Sequence, residues 1–146
     1  MIVYIDASAL VKRYVAERGS DEVIELTADA DIVATSVVSR AEVAAALARA
    51  ARLGALDHDG ARRAQRRFSR EWLDFARVPV SELLVSRAES LAWDYALRGY
   101  DAIQLASAVT WQESIGEDVV VATFDRQLWK AAPDAGLQVW PEGLGK

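Results

Sequence analysis

The run Ile2-Val3-Tyr4-Ile5 holds only β-branched and aromatic side chains, with no polar residue inside it, so it reads as a strand buried on both faces. A strand of that kind needs a covering layer on each side, which confines the chain to a sheet sandwiched between helices. Ile32-Val33-Ala34-Thr35 reads as a second short strand, and Val119–Thr123 as a fully apolar, central one. Leu137-Gln138-Val139-Trp140 reads as a last strand, and Val78-Pro79-Val80 as a brief edge strand where proline is tolerated. Helical patterns separate these runs. The alternation predicts an α/β chain: a three-layer α/β/α domain with a mostly parallel sheet of four or five strands, wound right-handedly. At 146 residues, with no linker, repeat or low-complexity stretch, residues 1–146 form one expected domain.

The helices carry their own signals. Ser8 is a plausible N-cap for a helix reaching about Val15, broken by Gly19, and Ser20 can cap a second one. Ser39-x-x-Glu42 before an Ala-rich run has the form of a capping box. Asp57-His58-Asp59-Gly60 is turn or cap chemistry, which makes His58 a solvated turn residue rather than a ligand. From Ala61 to Arg77 the pattern is helical, with Ala61, Ala64, Phe68, Trp72 and Phe75 on one stripe. Arg62, Arg63, Arg66, Arg67 and Arg70 lie opposite. They form either a solvated face or a surface for RNA phosphates or a partner; no aromatic residue interleaves with them for base stacking, which favours the solvated face. Ser81 caps a further helix with Leu84, Ala88, Leu91 and Tyr95 on its apolar stripe, ended by Gly99. Asp101 opens the strongly apolar helix that Gly116 closes, and Gln127-Leu128-Trp129 continues as a short helix stopped by Pro133 and Gly136.

Composition narrows the function classes. The net charge of −5 disfavours indiscriminate coating of nucleic acid, yet it is compatible with a nucleic-acid enzyme that uses a metal and a local basic surface. The absence of cysteine excludes disulfides and thiolate metal sites. No apolar run approaches the roughly 18 residues of a membrane span, and the start carries no signal-peptide pattern, so a cytoplasmic protein without membrane contact is expected.

Chemistry is carried by acids. Asp6 and Asp125 follow the ends of apolar strands, Glu42 sits in the first turn of the helix after the second strand, and Asp101 starts a core helix. With regular winding all four belong to the carboxyl edge of the sheet, where open α/β folds bind ligands. Asp118 precedes its strand and falls roughly 16 Å away, on the opposite edge. Each of the four has an ordinary role open to it as a cap or first-turn acid. Converging, they need something more. Two carboxylates about 4 Å apart repel by roughly 4 kcal/mol at an effective dielectric of 20. Cations or protons must offset such a cluster. Oxygen-only donors select hard ions, Mg²⁺ or Mn²⁺, which can hold a phosphodiester and activate a water. Ser8 and Thr123 offer hydroxyls beside the acids.

The ordered set Asp6-Ala-Ser8-Ala-Leu, Glu42, Asp101-Ala-Ile-Gln-Leu-Ala-Ser-Ala and Thr123-Phe-Asp125 resembles the PIN-domain ribonucleases, specifically the VapC-like toxins of toxin–antitoxin pairs. The resemblance covers nearly the whole chain. It implies a metal-dependent endoribonuclease toxin in which Asp6, Glu42, Asp101 and Asp125 hold one or two Mg²⁺ or Mn²⁺ ions, with Ser8 and Thr123 adjacent. It also implies an RNA substrate, a homodimer and a small cognate antitoxin that covers the site.

Two other readings compete. One is a phosphohydrolase of the haloacid-dehalogenase type with Asp6 as covalent nucleophile, although that family has a second Asp where this chain has Ser8. The other is a non-catalytic module of the same shape that binds a protein through the arginine face or the Ala-rich helix.

Overall fold

The computed structural model describes residues 1–144, so the last two residues of the polar tail lie outside the described residues. Five strands form one sheet: β1 (Ile2–Ile5), β2 (Ile32–Ser36), β3 (Ala76–Val78), β4 (Val120–Ala122) and β5 (Gln138–Trp140). Their order is β3-β2-β1-β4-β5, and every neighbouring pair is parallel. The predicted three-layer architecture and strand count are therefore met, with the sheet wholly parallel.

Period-two alternation along β1 divides the core. Val3 and Ile5 point to one face, where they pack with Leu10, Val23, Val43, Leu47, Phe68 and Trp72. Tyr4 points to the other, among Leu84, Leu105, Ala106, Val121 and Leu128. The first face is covered by α1 (Ala7–Leu10), α2 (Ser20–Asp29), α3 (Ser39–Arg52) and α4 (His58–Glu71), the second by α5 (Glu82–Tyr95), α6 (Gly99–Ile115) and α7 (Arg126–Asp134). The stripe from Ala61 to Phe75 is buried as expected. Its rings continue a ladder of edge contacts from Tyr14 through Phe68 and Trp72 to Phe75, with centroids 5.2, 5.6 and 6.3 Å apart.

Several boundaries differ from expectation for local reasons. The helix predicted to Arg77 ends at Glu71; a 3₁₀ turn over Trp72–Asp74 keeps the aromatic spacing while the chain turns into β3 at Ala76. Asp6, not Ser8, caps α1, because its carboxylate accepts the Ala9 N–H at 3.0 Å. That helix is only one turn of α structure, tightened into a 3₁₀ turn over Val11–Arg13. The capping box does not form, since α3 begins at Ser39 itself after an N-cap at Val38 that makes no side-chain bond. Gly99 starts α6, and Ala96, in the left-handed region at φ 54°, ends α5. No helix among the described residues is long and apolar enough to cross a membrane.

Candidate active site

The strand order creates one switch point. From β1 the chain moves outward to β2 and β3, then returns to lay β4 on β1's other side. The crevice outside the carboxyl ends of β1 and β4 is therefore where a doubly wound sheet opens to a ligand. Ile5 pairs with Ala122, and the Asp6 N–H donates to the Ala122 carbonyl at 3.2 Å, so the register sets Asp6 beside Thr123.

Two hydroxyls join the turns after these strands. Ser8 Oγ donates to Asp6 Oδ1 at 2.7 Å and accepts the Phe124 N–H at 2.9 Å. Thr123 Oγ1 donates to Asp6 Oδ2 at 2.6 Å and accepts the Asp125 N–H at 3.0 Å. Asp6 is 3% exposed. Burial, reinforced by the charge of Asp125, raises its pKa from 3.8 to about 7, although the bonds from Thr123, Ser8 and Ala9 work the other way. With Oδ1 accepting twice and Oδ2 once, Oδ2 keeps an open lone-pair site.

Glu42 and Asp101 come from α3 and α6. Gln104, one turn after Asp101, is buried and spends both ends of its amide. Its Oε1 accepts the Tyr4 hydroxyl, while its Nε2 donates to Ser39 Oγ at 3.0 Å and to Glu42 Oε1 at 2.8 Å. Thr35 Oγ1 lies 2.8 Å from the same Ser39 hydroxyl and 2.6 Å from the Ile5 carbonyl. Glu42, no longer a capping partner, is thus aimed by a relay that starts inside the sheet. Burial raises the pKa of Glu42 and of Asp101; the charge of Asp101 adds to the first and that of Asp125 to the second.

The four predicted acids are therefore linked as a series of repelling neighbours, Glu42 to Asp101 to Asp125 to Asp6. Among the described residues, no three acidic or histidine side chains stand close enough to enclose an ion as they are. A cation already sits at the middle of the series. Arg98 Nε donates to Asp101 Oδ2 and its Nη2 to Asp125 Oδ2, each at 3.0 Å. The Arg98 side chain is 78% exposed. Asp125 also caps α7 through the Leu128 N–H at 3.0 Å.

Sequence reasoning missed Arg98 and Gln104. A lone glutamine inside the apolar Asp101–Ala108 run was the available signal for Gln104; nothing local marks Arg98. The α4 arginines Arg62, Arg63, Arg66 and Arg70 are exposed, and the cation paired with Asp101 and Asp125 is Arg98 instead. Arg62 instead contacts His58 at 3.0 Å, four residues away on the same helix.

Known proteins fit this geometry. The family model described as PIN domain matches residues 3–133. Ribonuclease VapC45 of Mycobacterium tuberculosis is 38% identical over 144 residues, covering 98% of this chain and 97% of the relative. The crystal structure of PAE2754 from Pyrobaculum aerophilum shares the fold with a TM-score of 0.63 at 24% identity, over 95% of this chain and 83% of that one. A toxin–antitoxin complex from Klebsiella pneumoniae does so with a TM-score of 0.55 at 19% identity, over 81% and 83%. A parallel sheet whose switch point gathers acids from four separate elements, matched by that family model over almost its whole length, makes this chain a member of the PIN-domain family, similar to the VapC ribonucleases.

Proposed function

We propose that this chain is a divalent-metal-dependent endoribonuclease, the toxin of a toxin–antitoxin pair, with Asp6, Glu42, Asp101 and Asp125 as its acidic site. The observation that carries this reading is the series of four neighbouring carboxylates along the carboxyl edge of the sheet, Glu42 beside Asp101, Asp101 beside Asp125 and Asp125 beside Asp6. A buried Asp6 beside half-buried acids suits a cluster whose charge a cation offsets.

The donor set fits Mg²⁺ or Mn²⁺: the four acids and the hydroxyls of Ser8 and Thr123 offer oxygen, and the guanidinium of Arg98 marks the position between Asp101 and Asp125 as one that takes positive charge. When bound, such an ion polarises a phosphodiester and lowers the pKa of a water. The chain's own residues hold the donors in place. Ser8 and Thr123 orient Asp6 and leave its Oδ2 available, Gln104 orients Glu42, and Arg98, mostly in solvent, swings aside to release Asp101 and Asp125. On this reading the described residues form one domain.

The partners follow from the relatives. VapC45 is named a ribonuclease and the Klebsiella pneumoniae structure is a toxin–antitoxin complex; we extend RNA as substrate and an antitoxin as inhibitor to this chain on that basis. Exposed apolar side chains at Leu83 and Trp93 on α5 support a homodimer, and a cytoplasmic location suits an RNA target. The test is cleavage of RNA with Mg²⁺ or Mn²⁺ by the intact protein, Asp6→Asn and Asp101→Asn. The reading requires activity in the first and its loss in both variants; a phosphoenzyme trapped on Asp6 would give the site to a phosphohydrolase instead.

A further inference from the structure

Beside the acid cluster lies a cavity of about 600 Å³ that the site as described does not use. Lys12, Arg18, Gly19, Phe124, Arg126 and Trp140 line it. Its volume falls in the range of small-ligand sites, roughly 300–1,000 Å³. In a chain of net charge −5 it collects three cations against one lining carboxylate, Glu22. Lys12 also pairs with Glu17 at 3.2 Å and donates to the Arg18 carbonyl at 2.7 Å, which fixes where its ammonium stands.

Phe124 links the cavity to the acids, none of which lines it. Phe124 lies between Thr123 and Asp125 and donates its N–H to Ser8 Oγ at 2.9 Å. Lys12 follows Ser8 by four residues, and its Nζ stands 4.5 Å from the centroid of the Phe124 ring. Phe124 meets Trp140 edge-on at 5.8 Å, and both rings are half-buried, lining the cavity. The floor is Gly19, at φ +91°; a Cβ there would lie 2.9 Å from Phe124 Cζ. Glycine is needed at that point both for the backbone and for the ring above it.

Lys12 covers one face of Phe124, which leaves the ring's other face and Trp140 as apolar surface among cations; a single-stranded nucleic acid requires such a pairing, a surface for a base and charges for its phosphates. We propose that this groove takes a nucleotide of the RNA substrate adjoining the bond held at the acid cluster, its base against Phe124 and Trp140 and its phosphate against Lys12, Arg18 and Arg126. The inference rests on the ribonuclease reading above and adds the side on which the strand lies. It also assigns substrate contact to this groove rather than to the α4 arginines.

The experiment measures anisotropy of a short labelled single-stranded RNA in EDTA, where the strand stays intact, across a salt series. Phe124→Leu keeps apolar volume and removes the ring; it is expected to weaken binding about tenfold. Arg18→Ala, at an exposed position, is expected to weaken binding and to reduce the slope of log K against log salt by about 0.7. Arg66→Ala on α4 is expected to change neither. Thermal melts by circular dichroism confirm that each variant is folded. If both groove variants bind as the parent protein does, the assignment is wrong, whether a protein segment or solvent fills the groove. Cleavage assays keep the two claims apart. Activity lost in Asp6→Asn with unchanged RNA binding in the groove variants overturns only the groove; activity surviving in Asp6→Asn overturns the function reading as well.

Discussion

The β1–β4 crevice and the outer face of α4 both concentrate charge, but they differ in how that charge is partnered. In the crevice, Asp6 bonds Thr123 across 117 positions, Ser8 takes the Phe124 N–H across 116, and Gln104 reaches Glu42 across 62. On α4, Arg62 contacts His58 four residues away, Arg67 and Glu71 pair with each other and with Arg13, and Arg62, Arg63, Arg66 and Arg70 are exposed. Distant elements brought to one edge, with a buried Asp6 and half-buried Glu42 and Asp101 shifted toward protonation, are organised for chemistry. Local pairs on an exposed helix contribute little more than solubility. Sequence separation alone does not make a site, since Arg13 and Glu71 pair across 58 positions without forming one; like charges held side by side at the sheet edge do.

The comparison can be broken by substitution, starting with the largest effect. Asp6→Asn or Asp101→Asn should reduce RNA cleavage by at least about a hundredfold, in the range that losing a well-placed catalytic group costs, while Arg62→Ala and Arg66→Ala leave it unchanged. Comparable losses from the α4 pair would reverse the assignment. Next comes pH. A carboxyl whose pKa rises from 3.8 unfolded to about 7 folded stabilises the protein fully below pH 4, and that contribution is lost as pH rises through 7. For Asp6 this amounts to about 4 kcal/mol. Metal-free protein should therefore melt at lower temperature at pH 8 than at pH 5, and Asp6→Asn should flatten the difference; a pH-independent melt of the parent would refute the buried-charge argument.

Smaller effects test the supports. Thr123→Val removes the donor to Asp6 and leaves the Asp125 N–H unpaired, which should cost about 1–3 kcal/mol in denaturant unfolding. Arg98→Ala frees Asp101 and Asp125 of their resident cation, so affinity for Mn²⁺ should rise severalfold with little change in fold. A fall in affinity would mean that Arg98 supports the site instead of competing for it.

Much of this was legible in the sequence because it is local. Apolar runs such as Ile2–Ile5 announce strands buried on two faces, and a polar residue just past each run announces the carboxyl edge. Asp6 and Asp125 are placed by nothing more. Edge acids were legible as a set because each also begins a helix, where a carboxylate is stable. Strand order was not legible, since the return of β4 to β1 is decided by packing across the whole sheet. Nor was the capping box trustworthy: Ser39 and Glu42 have the right spacing, yet Thr35 and Gln104 offer them buried partners, and these take precedence over a local turn. At the end of α5 an exposed Ala96, not Gly99, takes the left-handed turn, its N–H and that of Leu97 both donating to the Ala92 carbonyl in a region glycine would occupy at lower cost. Arg98 shows the limit most plainly, because its meaning depends on two acids brought together from separate parts of the chain.

Calorimetric titration of Mn²⁺ into metal-free protein addresses the acid cluster itself, apart from any substrate. The account predicts saturable binding by the parent protein and its loss in Asp6→Asn and Asp101→Asn, with all three folded alike by circular dichroism. Absence of binding in the parent, or equal binding in all three, would contradict it.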